Sequence, residues 1–201
     1  MTALTAPPLP MLGALRSRRS TRAFDSTPLA DGEISSLLEA ARWAPSAVNR
    51  QPWRFVVGRS GDATHTAIVE SLAPGNQQWA TAAPLLLVTA ARLADDDATP
   101  EAPPDRLAAY ETGMATAHLE VQALHLGLVT HHMGGYDAAA LGHALGVPAN
   151  WALMTVLAVG RPGRVTDLPD ALRERELAPR TRLPLSDLAY ADAWGAPADL
   201  S

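Results

Sequence analysis

Apolar positions recur along the chain with two spacings, and each spacing marks a kind of element. Ile34, Leu37, Leu38 and Ala41 fall at i, i+3, i+4 and i+7, which predicts a helix with Asp31 as its N-cap. Pro45 closes that helix, because the residue before a proline is pushed out of the α region. Residues 9–17 are expected to form a short helix before it, and residues 67–72 a weak one after it. Residues 54–58 read as a strand. Residues 84–90, PLLLVTA, are a short apolar run and read as a strand buried on both faces. Residues 107–126 predict a long helix, apolar nearly all round, with Gly113, Ala115 and Ala117 permitting close backbone approach. Such a helix lies in a core or between subunits. A strand over 128–133, a helix over 138–145 and a strand over 153–160 follow. The expected fold is α+β, a mixed central sheet flanked by helices, in one domain over 1–201.

Two stretches lie outside this patterning. Residues 91–104 hold Asp95-Asp96-Asp97 and several prolines. They read as a loop, its acidic run solvated, and as a candidate lid over a site. From about 162 to 201 the chain is polar and proline-rich. A segment that long without a core of its own needs a surface to lie on, and a partner subunit is one candidate.

Composition narrows the chemistry. Apolar residues make up 47% of the chain, which suits a packed core. No apolar run reaches the ~18 residues of a membrane span. The first ten residues lack a basic segment followed by an apolar one, so the expected location is cytoplasmic. Cysteine is absent, which excludes disulfides and thiolate chemistry. Lysine is absent too, which excludes a Walker-type phosphate loop and Schiff-base chemistry. The formal net charge is −5, so no nucleic-acid partner is expected, and a local arginine cluster stands out.

That cluster is Arg18-Arg19-Ser20-Thr21-Arg22. In an extended segment Arg18, Ser20 and Arg22 share one face. Two guanidinium forks with a hydroxyl between them suit a phosphate. Spacing alone leaves the commoner alternative, a solvated basic turn, open. Residues 44–53, APSAVNRQPW, form a helix exit rich in turn formers, and their amide side chains can read the edge of a ring. An ordinary capped loop with Trp53 in the core fits them equally. His131 and His132 are adjacent on a strand and face opposite sides, so no metal site is expected. His118 and His125, seven apart on one helix face, suit packing or the surface. Trp79 and the loop after Ala91 are candidates to stack on a substrate.

Taken together these segments resemble the nitroreductase family. RRSTRAF is followed about 20 residues later by EAARWAPSAVNRQPWRFVV, and the pair is similar to that family's N-terminal signature over 18–57. GNQQWATAAPLLLV (75–88), LGLVTHHMGGYD (126–137) and PRTRLPLSDL (179–188) resemble its later segments, in the same order. The resemblance implies an FMN enzyme that takes hydride from NAD(P)H and passes it to a small electron acceptor by ping-pong kinetics. It implies a homodimer with an extended C-terminal arm.

The resemblance also assigns residues. Arg18, Arg19, Ser20 and Arg22, with Arg180 and Arg182 from the tail, are expected at the FMN phosphate. Arg22 is further expected to supply a cation to the reduced ring. Pro45, Ser46, Ala47 and Asn49 are expected to reach the partner's flavin. Asn76 matches a position at the pyrimidine edge, and His132, Met133, Gly134 and Gly135 match the turn lying along the ring. No catalytic nucleophile is expected. Two departures stand out: Gly134 replaces a frequent Glu, and Ala117-His118 replaces a frequent Gln-Asn. Related proteins also fragment flavin, remove iodine from tyrosines or oxidise peptides; a flavin-binding protein without useful turnover is a further alternative. The dehalogenases grip substrate with a lid lysine that this chain lacks.

Overall fold

The computed structural model describes residues 10–95 and 105–200. In chain order the elements are α1 (Gly13–Ser17), β1 (Phe24–Asp25), α2 (Asp31–Arg42), β2 (Trp53–Arg59), α3 (Ala63–Ser71) and α4 (Pro74–Ala80). They continue with β3 (Leu85–Arg92), α5 (Ala108–His125), β4 (Val129–Met133), α6 (Ala138–Ala144), β5 (Trp151–Pro162) and α7 (Asp170–Leu177).

β3 and β5 are the centre of the sheet. β2 adds to β3, while β4 and then β1 lie along the far side of β5. All the ladders between these strands are antiparallel, and the parallel component is one bridge, Ser20 to Thr130. Leu85 to Ala91 of β3 are all buried, because helices cover both faces. Leu86, Val88, Val156 and Ala158 pack under α3, α4 and α6, with Ile68, Trp79 and Leu141. Leu85, Leu87, Leu157 and Val159 pack on the opposite face under α2 and α5, with Ile34, Leu37 and Leu119.

Several expectations change. Ala30, not Asp31, caps α2: its backbone N–H donates to Glu33 Oε2 at 2.8 Å, and Asp31 already lies in the first turn. The acidic Glu33 at the third helical position makes that bond available, which a rule keyed to Asp31 overlooks. β3 extends through Arg92, so the loop begins later than residue 91, and residues 96–104 lie outside those described. Asp95 is not merely solvated: it meets Arg50 at 2.9 Å and Arg92 at 3.6 Å. Asp96 and Asp97 fall outside the described residues. Helix α4 is unanticipated; Pro74 starts it. The stretch after Arg161 divides in two. Leu168 and Leu172 join the core, and from Leu177 onward nearly every residue is exposed.

Candidate functional site

Helix α5 sets the site. It is not apolar all round: its buried positions include Glu111, Thr112 and Thr116. Ala109, Thr112, Gly113, Thr116, Ala117 and Glu120 recur at helical spacing and form one wall of a cavity of about 220 Å³. Its other wall is the sheet, through Thr89, Met154, Thr155 and His132. The register of β3 on β5 slips here, with Thr89 opposite Thr155 and Ala90 opposite Leu153. Met154 is therefore the extra residue of a β-bulge, a device that re-aims side chains. Hydroxyls hold the bulge: Thr155 N donates to Thr89 Oγ1 at 3.1 Å, and the two Oγ1 atoms are 3.1 Å apart. Thr112 Oγ1 is buried without a partner among the described residues.

One end of the cavity is charged. His132 Nε2 lies 3.5 Å from Glu120 Oε2, and His132 Nδ1 lies 3.2 Å from Thr155 Oγ1. Thr130 Oγ1 donates to Glu120 Oε1 at 2.8 Å, and Arg18 Nη1 stands 3.8 Å from the same oxygen. Burial pushes the Glu120 carboxyl up, but the contacts from His132 and Thr130 and the charges of His132 and Arg18 outweigh it. The carboxyl is held below the usual range. His131 faces the other way, as adjacent strand residues do. Its Nδ1 lies 3.1 Å from Thr21 O, and its ring packs 4.4 Å from Trp79. Burial first, and the charge of Arg22 second, push its pKa down to about 4.

The arginine segment does not keep its alternation. Arg18 leans toward Glu120 on α5, whereas Arg22 Nη1 lies 3.6 Å from Glu176 Oε2 on α7. Only Ser20 is paired in the segment, so no ladder enforces a flat pleat. Arg19 donates to the carbonyls of Glu176 and Ala178 at 2.8 and 2.7 Å. In return Arg180 donates to the carbonyls of Arg16 and Arg18. The tail is thus clasped against the N-terminal segment. Arg182 donates to its neighbour's carbonyl, Thr181 O, at 2.7 Å.

The glycine turn follows His132 and Met133. Gly135 O accepts from Ala73 N at 2.9 Å and from Asn76 Nδ2 at 3.0 Å, which fixes Asn76 against the turn. A Cβ on Gly135 would stand 3.2 Å from Asn76 Nδ2, while one on Gly134 would meet nothing within 4 Å. Pro45, Ser46, Ala47 and Asn49 lie on a separate, largely exposed loop. Val48 and Asn49 hold φ of +52° and +55°, a conformation β-branched residues rarely adopt. The buried carboxylate of Glu111 accepts from Ala47 N at 2.7 Å and ties the loop to the first turn of α5. Glu120 is nine residues on, about 13 Å along the helix. The loop and the arginine cluster thus stand at opposite ends of one helix.

The structure brings Arg18 and His132 together on Glu120, bridges Ser20 to Thr130, and separately joins Asn76 to Gly135. Trp79 does not stack on a substrate: it is 3% exposed, between Phe24 and His131. Sequence reading missed the cavity-lining threonines and Glu120. The signal was there in α5, where small and hydroxyl residues recur every third or fourth position and end on a carboxylate. His118 lies on the exposed outer side of α5 with Trp43 and Val121.

An antiparallel sheet between helix layers, with the Arg18 guanidinium at one end of a hydroxyl-lined cavity, defines an α+β protein. A model of the nitroreductase family matches residues 15–74 and 62–161, and the chain belongs to that family. A Rhodopseudomonas palustris protein provisionally named NADH dehydrogenase/NAD(P)H nitroreductase is 32% identical over 138 residues, 61% of this chain and 70% of its own. A 5,6-dimethylbenzimidazole synthase of Rhodospirillum rubrum is 31% identical over 176 residues, 78% of this chain and 83% of its own. Among solved structures, an oxidoreductase containing FMN superposes with a TM-score of 0.88 at 34% identity, over 95% of this chain and 96% of that one.

Proposed function

We propose that the protein is an FMN-dependent oxidoreductase, a cytoplasmic homodimer that takes hydride from NAD(P)H and delivers it to an electron-poor small molecule such as a nitroaromatic or quinone. The observation that carries this reading is that the Arg18 guanidinium stands on Glu120 at one end of the hydroxyl-lined cavity, whose wall includes His132, two residues before the open glycine turn. The residues fit FMN. Arg18, Ser20, Arg22 and Arg182 offer charge-assisted donors to a phosphate. Gly134 leaves the backbone open for a flat ring to approach. Asn76 spends its Nδ2 on Gly135 O and keeps its Oδ1 for a ring N–H. The unpartnered Thr112 hydroxyl awaits a polar group. No glycine-rich dinucleotide fingerprint is present, which favours a mononucleotide.

When bound, FMN supplies the hydride and electron chemistry, and the chain's side chains supply placement and charge. Arg19 and Arg180 act indirectly, by clasping the tail that carries Arg182. Arg22 is set by Glu176, so its charge is partly neutralised before any ring arrives. Trp43, Tyr110, Leu183 and Trp194 are between 64% and 94% exposed, an excess of surface apolar groups that a second copy would cover. The exposed loop of Pro45, Ser46, Ala47 and Asn49 then serves the partner's site. In this reading residues 162–201 include the arm that crosses between subunits.

The test is direct. Purified protein should be yellow, release FMN on denaturation, and oxidise NADH or NADPH in the presence of a nitroaromatic or quinone. FAD in the extract, or no flavin even after FMN is added, overturns the reading. The similarity to a 5,6-dimethylbenzimidazole synthase favours a second reading, in which the reduced flavin is itself consumed. Loss of flavin absorbance in air, with no added acceptor, selects that one.

A further inference from the structure

The side chains of His132 and Glu120 are not needed to hold a phosphate or a ring edge, yet they close one end of the cavity. The imidazole and the carboxylate stand 3.5 Å apart, both on the α5 side of the sheet. The groups facing His132 are known from each packed element. From α5 comes Glu120; from β5, Thr155; from β3, Thr89 behind it; from the N-terminal segment, Arg18 through Glu120. Arg22 and His131 lie across β4 and face the other way. The pair is buried enough to matter: the Glu120 side chain is 15% exposed and that of His132 35%. Arg18 touches Glu120, so the pair adjoins the phosphate cradle.

We propose that His132, positioned by Glu120 and Thr155, takes up a proton from solvent as electrons enter the cavity, and so balances the negative charge that arrives with them. This rests on the FMN reading above. With FMN bound, hydride from NAD(P)H would bring two electrons and one proton and leave one added negative charge for the site to balance. His132 goes from imidazole to imidazolium, and the second proton comes from water. Glu120 favours the imidazolium and Thr155 fixes the ring; Glu120 is a positioning residue. A neutral wall would leave the added charge uncompensated in a half-buried site, where charges interact more strongly than in water.

The prediction is read in the pH dependence of the flavin midpoint potential, measured by spectroscopic redox titration of the FMN-loaded protein between about pH 5.5 and 8.5. Where His132 titrates, the wild type should take up two protons per two electrons, twice the slope of a one-proton couple. His132→Gln should bind FMN and show the one-proton slope throughout. Glu120→Gln should keep the two-proton region and move it to lower pH. A His132→Gln variant that retains FMN and the wild-type slope overturns the proposal. If that variant does not hold flavin, Glu120→Gln decides: an unmoved region overturns the proposal, a region moved down supports it. A wild-type protein that binds no FMN sinks the functional reading itself, visible before any potential is measured.

Discussion

At the scale of single residues, the site rests on a few guanidinium groups and two histidines with opposite roles. Arg18→Ala or Arg182→Ala should each weaken FMN binding about ten- to a hundred-fold, the equivalent of ~1.5–3 kcal/mol for a charge-assisted bond. Fluorescence titration measures it. Arg42→Ala is the control, since Arg42 is exposed and paired with Glu39 on α2. Wild-type affinity in both variants would remove those arginines from the site. His131 answers to pH. Its folded pKa of about 4 lies below the unfolded value, so the unfolded chain binds the extra proton first. The stability this holds is complete above pH ~6.5, falls as pH drops toward 4 and levels off below. The loss is on the order of 3 kcal/mol at most. Urea unfolding at pH 7 and pH 4.5 should show His131→Gln losing less stability than the wild type; equal losses would refute it. The opposite facing of His131 and His132 was legible in the sequence, because strand periodicity alone dictates it. The partners were not: Glu120 is twelve residues from His132, on another element, and no spacing rule joins them.

At the scale of elements, the central strand was legible and its irregularities were not. PLLLVTA is apolar but for Thr89 because β3 is covered on both faces. The Met154 bulge has no such mark, since Met-Thr is as ordinary in a regular strand as in a bulged one. Helix α4 was hidden for a similar reason: its first turn is built of turn formers, and the burial of Trp79 and Ala80 holds it. The small and hydroxyl stripe of α5 was readable but looked like packing. Close packing between elements is itself testable. A Cβ on Gly58 of β2 would stand 2.8 Å from His65 N and 2.9 Å from His65 Cα, both backbone atoms of α3. Gly58→Ala should therefore push α3 off the sheet and cost about 1–3 kcal/mol, seen as a lower thermal midpoint. Gly134→Ala meets nothing within 4 Å and should leave the midpoint unchanged. The reverse order of the two would contradict the packing described.

At the scale of the whole molecule, the exposed apolar residues of α5, of the loop near Val48 and of the tail are the surface that the proposed homodimer would cover. Truncation after Ala178 removes Arg180, Arg182 and Trp194 but spares Leu168 and Leu172. It should yield a folded protein, by circular dichroism, that has lost dimer stability and FMN affinity together. A cut after Ala189 should keep the phosphate donors. Light scattering with flavin titration checks both, and a monomer holding FMN at full affinity would refute the shared site. The clasp between tail and N-terminal segment has a consequence for how such a chain can drift. Arg19 and Arg180 are received by backbone carbonyls, which every residue type offers. Side chains at positions 16, 18 and 178 can thus change without loosening these bonds, whereas Glu176 also receives Arg22 through its carboxylate. Arg180 has less latitude, because it reaches its two carbonyls through separate nitrogens of one planar fork. Loss of Arg19 or Arg180 leaves the tail held by the other and by the Arg22–Glu176 contact, so a second loss should be more damaging than the first. The clasp is tolerant on its receiving side and epistatic on its giving side.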